Sequence, residues 1–164
     1  VQLRNLATVG GSLYSRFGFS DVLTMFLALN ASVELYKGGV VPLAEYAQRP
    51  YDRDILVRVL VPKENARFVY QSVRNSQTDF PVLTCAAAKL ADGSIRAAIG
   101  ARPGKAVLYT AAPEAGETAE EFAARFAAEV KADIKTESNL RGGAEYRRHL
   151  AGVLTKRAVC RLEG

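Results

Sequence analysis

The chain has 164 residues, 49% hydrophobic and 24% charged, with a formal net charge of +5 and a pI near 9.4. That composition suits one globular domain or two small ones, long enough to bury a core without staples. No run approaches the roughly 18 apolar residues of a membrane span, no basic segment leads into an apolar run as in a signal peptide, and the basic residues are scattered, which argues against nucleic-acid binding. Cys85 and Cys160 lie far apart, outside any metal-ligand spacing. Both read as reduced, buried thiols of a cytoplasmic protein. The chain starts at Val1 and its only methionine is Met25, so a processed chain or a piece of a longer protein is expected.

Residues 7–12, Ala-Thr-Val-Gly-Gly-Ser, read as a turn-rich loop. Ser20 then caps a helix that opens on Asp21, whose charge suits the positive helix end. The run from Val22 to Leu29 is apolar nearly all round and predicts a helix buried on most sides. Val33 and Leu35 lead through Gly38-Gly39 to Val40-Val41, a hairpin, and residues 42–46 form a short helix or turn. Ile55, Val57, Val59 and Val61 alternate along a strand that Pro62 ends. The polar break Lys63-Glu64-Asn65 is the expected domain boundary. Beyond it, strands are predicted at 67–73, 83–90, 94–101 and 105–110, with Asp92-Gly93 as a tight turn. Thr118 and Glu121 form a capping box, and Phe122, Phe126 and Val130 share one helical face. After Gly142-Gly143 a second helix carries Tyr146, Leu150, Val153, Leu154 and Leu162 inward, with Arg147, Arg148, Lys156 and Arg157 on a solvated face. The second half thus reads as a small antiparallel sheet plus a helical hairpin, an α+β unit.

Few residues offer chemistry. The one histidine, His149, has no Cys-His-carboxylate cluster around it in sequence, which argues against a transition-metal site. There is no G-x-S-x-G for a nucleophile and no phosphate-binding glycine motif of the Walker or Rossmann type. Asp52 and Asp54 read as a solvated face rather than an acid-base pair. What remains is Thr8-Val9-Gly10-Gly11-Ser12 followed by the capped helix at Ser20-Asp21. Paired glycines let backbone N–H groups approach a ligand, and a helix start adds donors and positive dipole. By itself this signal is more often that of a plain tight turn.

Two longer stretches carry a resemblance. Residues 2–12, Gln-Leu-Arg-Asn-Leu-Ala-Thr-Val-Gly-Gly-Ser, are similar to the I-R-N-x-A-T-x-G-G-N segment of molybdenum hydroxylase flavoproteins, the class of xanthine dehydrogenase and aerobic carbon monoxide dehydrogenase. Residues 139–150, Asn-Leu-Arg-Gly-Gly-Ala-Glu-Tyr-Arg-Arg-His-Leu, resemble the D-x-R-G-S-A-E-Y-R-R-x-L ending of the same subunits. The resemblance covers nearly the whole chain. It implies an α+β fold, with part of an FAD-binding subdomain at 1–62 and a flavoprotein C-terminal domain, complete in itself, at 63–164.

The resemblance also implies a role. The chain is expected to be a fragment of the FAD-binding (medium) subunit of an oxidoreductase. That subunit partners a molybdopterin-containing large subunit and a 2Fe-2S small subunit, and relays electrons through FAD to NAD or another acceptor. By match to the family motifs, Thr8, Gly10, Gly11 and Ser12 lie along the FAD, Asp21 hydrogen-bonds it, Leu56 contacts it, and Gln71 stands where some members carry a lysine near the flavin. No side chain is assigned as a catalytic acid or base. Arg16-Phe17-Gly18-Phe19 departs from the family's A-S-P run, and the preceding subdomain with its pyrophosphate loop has no counterpart. Weak FAD binding and no activity are therefore expected of this chain alone. The alternative is a non-catalytic module that keeps the fold and binds a partner subunit without flavin.

Overall fold

The computed structural model describes residues 5–63 and 67–163. The first four residues of the N-terminal motif, and Glu64 and Asn65 of the expected boundary, lie outside them. The chain begins with two helices, α1 (Val9–Tyr14) and α2 (Asp21–Ala28). A three-stranded antiparallel sheet follows, with β1 (Ser32–Leu35) between β2 (Gly39–Pro42) and β3 (Leu56–Leu60). The short helix α3 (Leu43–Tyr46) links β2 to the loop before β3. The predicted hairpin has Val33 opposite Val41 and Leu35 opposite Gly39, where φ is +65°. Asp54 fixes its turn by accepting the N–H groups of Lys37 and Gly38 at 2.9 and 2.8 Å. The reading of Asp52 and Asp54 as something other than a catalytic pair thus has a structural reason for Asp54.

The second sheet is an antiparallel meander of β4 (Arg67–Val73), β5 (Leu83–Lys89), β6 (Ile95–Gly100) and β7 (Val107–Ala111). Two long helices, α4 (Ala119–Asp133) and α5 (Ala144–Glu163), cover one of its faces. The Thr118–Glu121 capping box is present with both of its hydrogen bonds. Period-two alternation divides the strands. Leu83, Cys85 and Ala87, with Ile95, Ala97 and Ile99, point at Phe122, Phe126, Leu150 and Leu154 of the helices. Ala86 and Ala98, with Phe68, Tyr70 and Leu108, point the other way and join the core of the first half around Leu23 and Leu27.

The meander is therefore buried on both faces, and α2 is its second cover. That explains why Leu83 to Ala88 are all buried, a pattern that a one-sided sheet does not produce. Close approach of α2 requires small residues. A Cβ on Gly100 would stand 2.4 Å from Thr24 Oγ1 and 2.5 Å from Thr84 Oγ1, two buried hydroxyls that hydrogen-bond each other at 3.1 Å. Gly18 is tighter still: its Cβ would fall 1.9 Å from the carbonyl oxygen of Gly104. The far face of the meander thus packs on the first half of the chain.

Three expectations are corrected. Arg147 does not share the solvated face of Arg148 and Lys156. It is 0% exposed. Its guanidinium donates to the carbonyls of Val82, Glu137 and Gly142 at 2.9, 2.6 and 2.6 Å and to Asn139 Oδ1 at 2.6 Å. Tyr146, expected inside, is 49% exposed instead. Cys85 is buried as expected, whereas Cys160 is exposed on the outer side of α5. No helix among the described residues is long and apolar enough to cross a membrane.

Candidate functional site

Residues 7–12 form the start of a helix rather than an open loop. Thr8 is its N-cap, with extended backbone, and its Oγ1 accepts the Gly11 N–H at 2.9 Å. Ser12 Oγ donates back to the Thr8 carbonyl at 2.9 Å. The glycine pair misled a reading by composition because a capping threonine two residues upstream overrides a turn preference. A Cβ on Gly11 would press within 3.0 Å of Thr8 Oγ1, whereas one on Gly10 would meet nothing within 4 Å. The exposed turn therefore offers first-turn N–H groups that the helix itself cannot satisfy, with open space at Gly10.

Asp21 begins α2. Ser20 Oγ caps this helix by accepting the Leu23 N–H at 3.2 Å. The Asp21 carboxylate is held by two residues of the meander's first strand and its exit. Arg74 Nη2 lies 2.6 Å from both carboxylate oxygens, and the Tyr70 hydroxyl donates to Oδ1. Burial and this carboxylate push the Tyr70 phenol above its ordinary value. Arg74 also donates to the Asp79 carbonyl at 2.7 Å, and the Asp79 carboxylate pairs with Arg141 at 2.9 Å. Arg141 beside it holds the Asp79 carboxyl below the usual carboxylate range. A line of alternating charge thus runs from Asp21 through Arg74 and Asp79 to Arg141.

Of the seven sequence-predicted residues, Thr8, Gly10, Gly11 and Ser12 share the first turns of α1. Leu56 packs against the core that contains Leu13 and Leu23, at the start of the strand beside α1. Asp21 follows one short connection later. Gln71 is not brought to this group. Its side chain donates to the Leu154 carbonyl at 3.3 Å, on the face of β4 turned toward α5. The β4 residue on the Asp21 side is its neighbour Tyr70, and strand alternation was the signal that selects it. Sequence reading also passed over Arg74.

The departing segment at 16–19 has a structural role. Arg16 adopts a left-handed backbone (φ 51°) and is 4% exposed, its guanidinium 4.0 Å from the Tyr46 ring centroid. It donates to the Pro50 carbonyl and lies 3.5 Å from the Asp52 carboxylate, which ties the 49–52 loop to the end of α1. Tyr14 and Tyr51 make complementary hydrogen bonds across the same seam, to the Asp52 and Ser15 carbonyls.

Residues 68–162 match the family profile of the CO dehydrogenase flavoprotein C-terminal domain. The chain belongs to that family. Residues 1–64 match the profile of the FAD binding domain in molybdopterin dehydrogenase. The chain is 26% identical over 152 residues to the uncharacterized protein YgfM of Escherichia coli (strain K12), covering 93% of this chain and 57% of that relative. Among solved structures, it superimposes on a chain of carbon monoxide dehydrogenase from Hydrogenophaga pseudoflava with a TM-score of 0.82 and 24% identity, covering 98% of this chain and 62% of that one. For quinoline 2-oxidoreductase from Pseudomonas putida 86 the values are 0.80 and 20%, covering 99% and 62%. For CO dehydrogenase from Oligotropha carboxidovorans they are 0.81 and 22%, covering 99% and 63%. These identities establish a shared fold. The chain spans under two thirds of the length of each of these proteins.

Proposed function

We propose that this chain is the FAD-facing part of the medium subunit of a molybdenum hydroxylase, relaying electrons from iron-sulfur clusters via FAD to NAD or another acceptor. Its partners on this reading are a molybdopterin-containing large subunit and a 2Fe-2S small subunit. The observation that carries the reading is the Thr8-capped Gly10-Gly11 turn, one short connection from the Asp21 carboxylate. The residues suit FAD. The turn supplies the Val9 and Gly10 N–H groups, which have no partner among the described residues, for phosphate or ribityl oxygens, and the Cβ position at Gly10, clear of described atoms, lets the ligand come close. Asp21 keeps acceptor capacity, since an ionised carboxylate offers about four lone-pair sites and its side chain is 35% exposed. Leu56 adds apolar contact. Bound FAD supplies reversible one- and two-electron transfer. The protein's part is to hold and orient it, with Arg74 and Tyr70 fixing the aspartate.

The apolar outer residues Leu6, Ile55 and Val57 are 89, 65 and 48% exposed. Exposed apolar side chains of this size support coverage by further polypeptide, the expected pyrophosphate-binding subdomain among the candidates. Gly10→Ala in the full-length protein separates the flavin reading from a flavin-free interaction module. A methyl group there meets no atom of the described residues within 4 Å, and alanine suits a helix, so folding stability should hold within about 0.5 kcal/mol. Flavin absorbance after reconstitution should show FAD bound at least about tenfold more weakly, the effect of displacing one charge-assisted contact. Unchanged FAD affinity in Gly10→Ala overturns the placement. The 164-residue chain alone should bind FAD weakly, and tight stoichiometric binding by it would contradict the partial-site reading.

A further inference from the structure

On the far side of the Asp21–Arg74–Asp79–Arg141 line lies a cleft of about 330 Å³, within the size range of small-ligand pockets. Phe19, Phe80, Pro103, Gly104, Asn139 and Arg141 line it. None of them is among the seven candidate flavin residues. Its wall is an aromatic ladder: Phe17 stacks on Phe19 at 5.1 Å between ring centroids, and Phe19 tilts against Phe80 at 4.7 Å. The Arg141 guanidinium covers the next step, 5.2 Å from the Phe80 centroid. Phe19 and Phe80 are nonetheless 40 and 45% exposed, so the ladder presents ring surface rather than hiding it. Pro103 and Gly104 on the β6–β7 turn close the cleft from the other side, held there by the contact between Gly104 and Gly18.

Charge around the cleft is unbalanced. Arg74 and Arg141 are matched by Asp21 and Asp79. The fully buried Arg147 has no carboxylate partner among the described residues, only three carbonyls and the Asn139 amide oxygen. One positive charge therefore stays uncompensated, in low dielectric, directly behind Asn139. Arg141 spends Nε and Nη2 on Asp79 and leaves Nη1 without a partner among the described residues. Asn139 spends Oδ1 on Arg141 N and Arg147 Nη2, which leaves its Nδ2 as a donor. Another cleft of similar size, between α2, α3 and β7, has Asp133 as its charged lining residue and no cationic side chain among its lining.

We propose that the Phe19–Arg141 cleft binds a small planar aryl or heteroaryl carboxylate, its ring against Phe19 and Phe80 and its carboxylate on Arg141 and Asn139. Ring stacking favours a flat ligand, guanidinium and amide donors favour an anion, and the buried Arg147 charge adds long-range attraction. The test is calorimetric titration of the full-length protein with benzoate, benzamide and acetate. Benzoate should saturate, with benzamide and acetate each at least about tenfold weaker, because each lacks one of the two recognised features. Phe19→Leu and Arg141→Gln should each weaken benzoate by about tenfold at unchanged circular dichroism. If Arg141→Gln fails to fold, Arg141→Lys and Phe19→Leu carry the comparison. Benzoate that does not saturate, that binds no tighter than benzamide or acetate, or that is indifferent to Phe19→Leu overturns the proposal. Flavin absorbance read on the same samples distinguishes loss of this site from any loss of FAD.

Discussion

Truncating Arg147 should be among the most damaging single changes in the C-terminal helices. Its guanidinium bridges the residue before β5, the 137–142 loop and the start of α5 through four hydrogen bonds of 2.6–2.9 Å. In Arg147→Ala, the exposed Glu137 and Asn139 regain water. Val82, 0% exposed, does not. One orphaned buried carbonyl costs about 1–3 kcal/mol. The emptied side-chain volume adds a cavity penalty of similar size. Against these, removal of a desolvated charge without a counter-ion returns part of the loss. A net destabilisation of about 3 kcal/mol is expected, a large share of a total of about 5–15. Urea unfolding of the full-length protein, followed by circular dichroism, measures it against Arg148→Ala. Arg148 is half-exposed and pairs only with Glu145 at 3.3 Å, so its loss should cost under about 0.5 kcal/mol. Equal midpoints for the two variants would refute the assignment of Arg147 as the pin of this loop.

Gly18→Ala should lower stability by about 2 kcal/mol, since its methyl would overlap backbone that cannot yield; an unchanged thermal midpoint would contradict the close approach. A thiol reagent should label one equivalent in the native chain, at the exposed Cys160, and two after unfolding, because burial pushes the Cys85 thiol up to about 12. Two fast-reacting thiols in the native state would exclude this packing. At high pH stability should fall. Burial and the Asp133 hydrogen bond push Tyr109 up to about 12, and Tyr70 is raised as well. An unfolded tyrosine ionises near about 10, so between about 10 and 12 the unfolded chain releases protons that the folded chain keeps. Denaturation midpoints that stay flat across that window would show both phenols to be open to solvent.

Local signals carried much of the architecture. The Thr118 capping box, the Asp92-Gly93 turn and the 3.6-residue spacing of Phe122, Phe126 and Val130 each depend on neighbours in sequence, so they were readable. Arg147 was not. In a helix of alternating charges nothing local distinguishes an arginine that leaves the surface, and its acceptors come from residues as distant as Val82. The second cover of the meander was hidden for the same reason, although the unbroken run Leu83 to Ala88 was its trace. At the candidate site, Thr8, Gly10, Gly11, Ser12 and Asp21 were named by resemblance to the family motifs, and no local property of the chain singles them out. On β4, Gln71 faces α5 and its neighbour Tyr70 faces Asp21, because successive strand residues point to opposite faces. Arg74 lies beyond the end of β4, and only the fold brings it to Asp21.

The double-sided meander also sets what can be cut from this protein. The alanines that make the sheet thin enough for α2 would become a flat, uncharged wall on any fragment that starts after residue 66. Such a piece would keep its helices on one side and present Ala86, Ala98, Phe68 and Leu108 to water on the other. A flat apolar sheet face invites self-association. Redesign of that wall with polar side chains, rather than a choice of cleaner end points, is what a stand-alone C-terminal half requires.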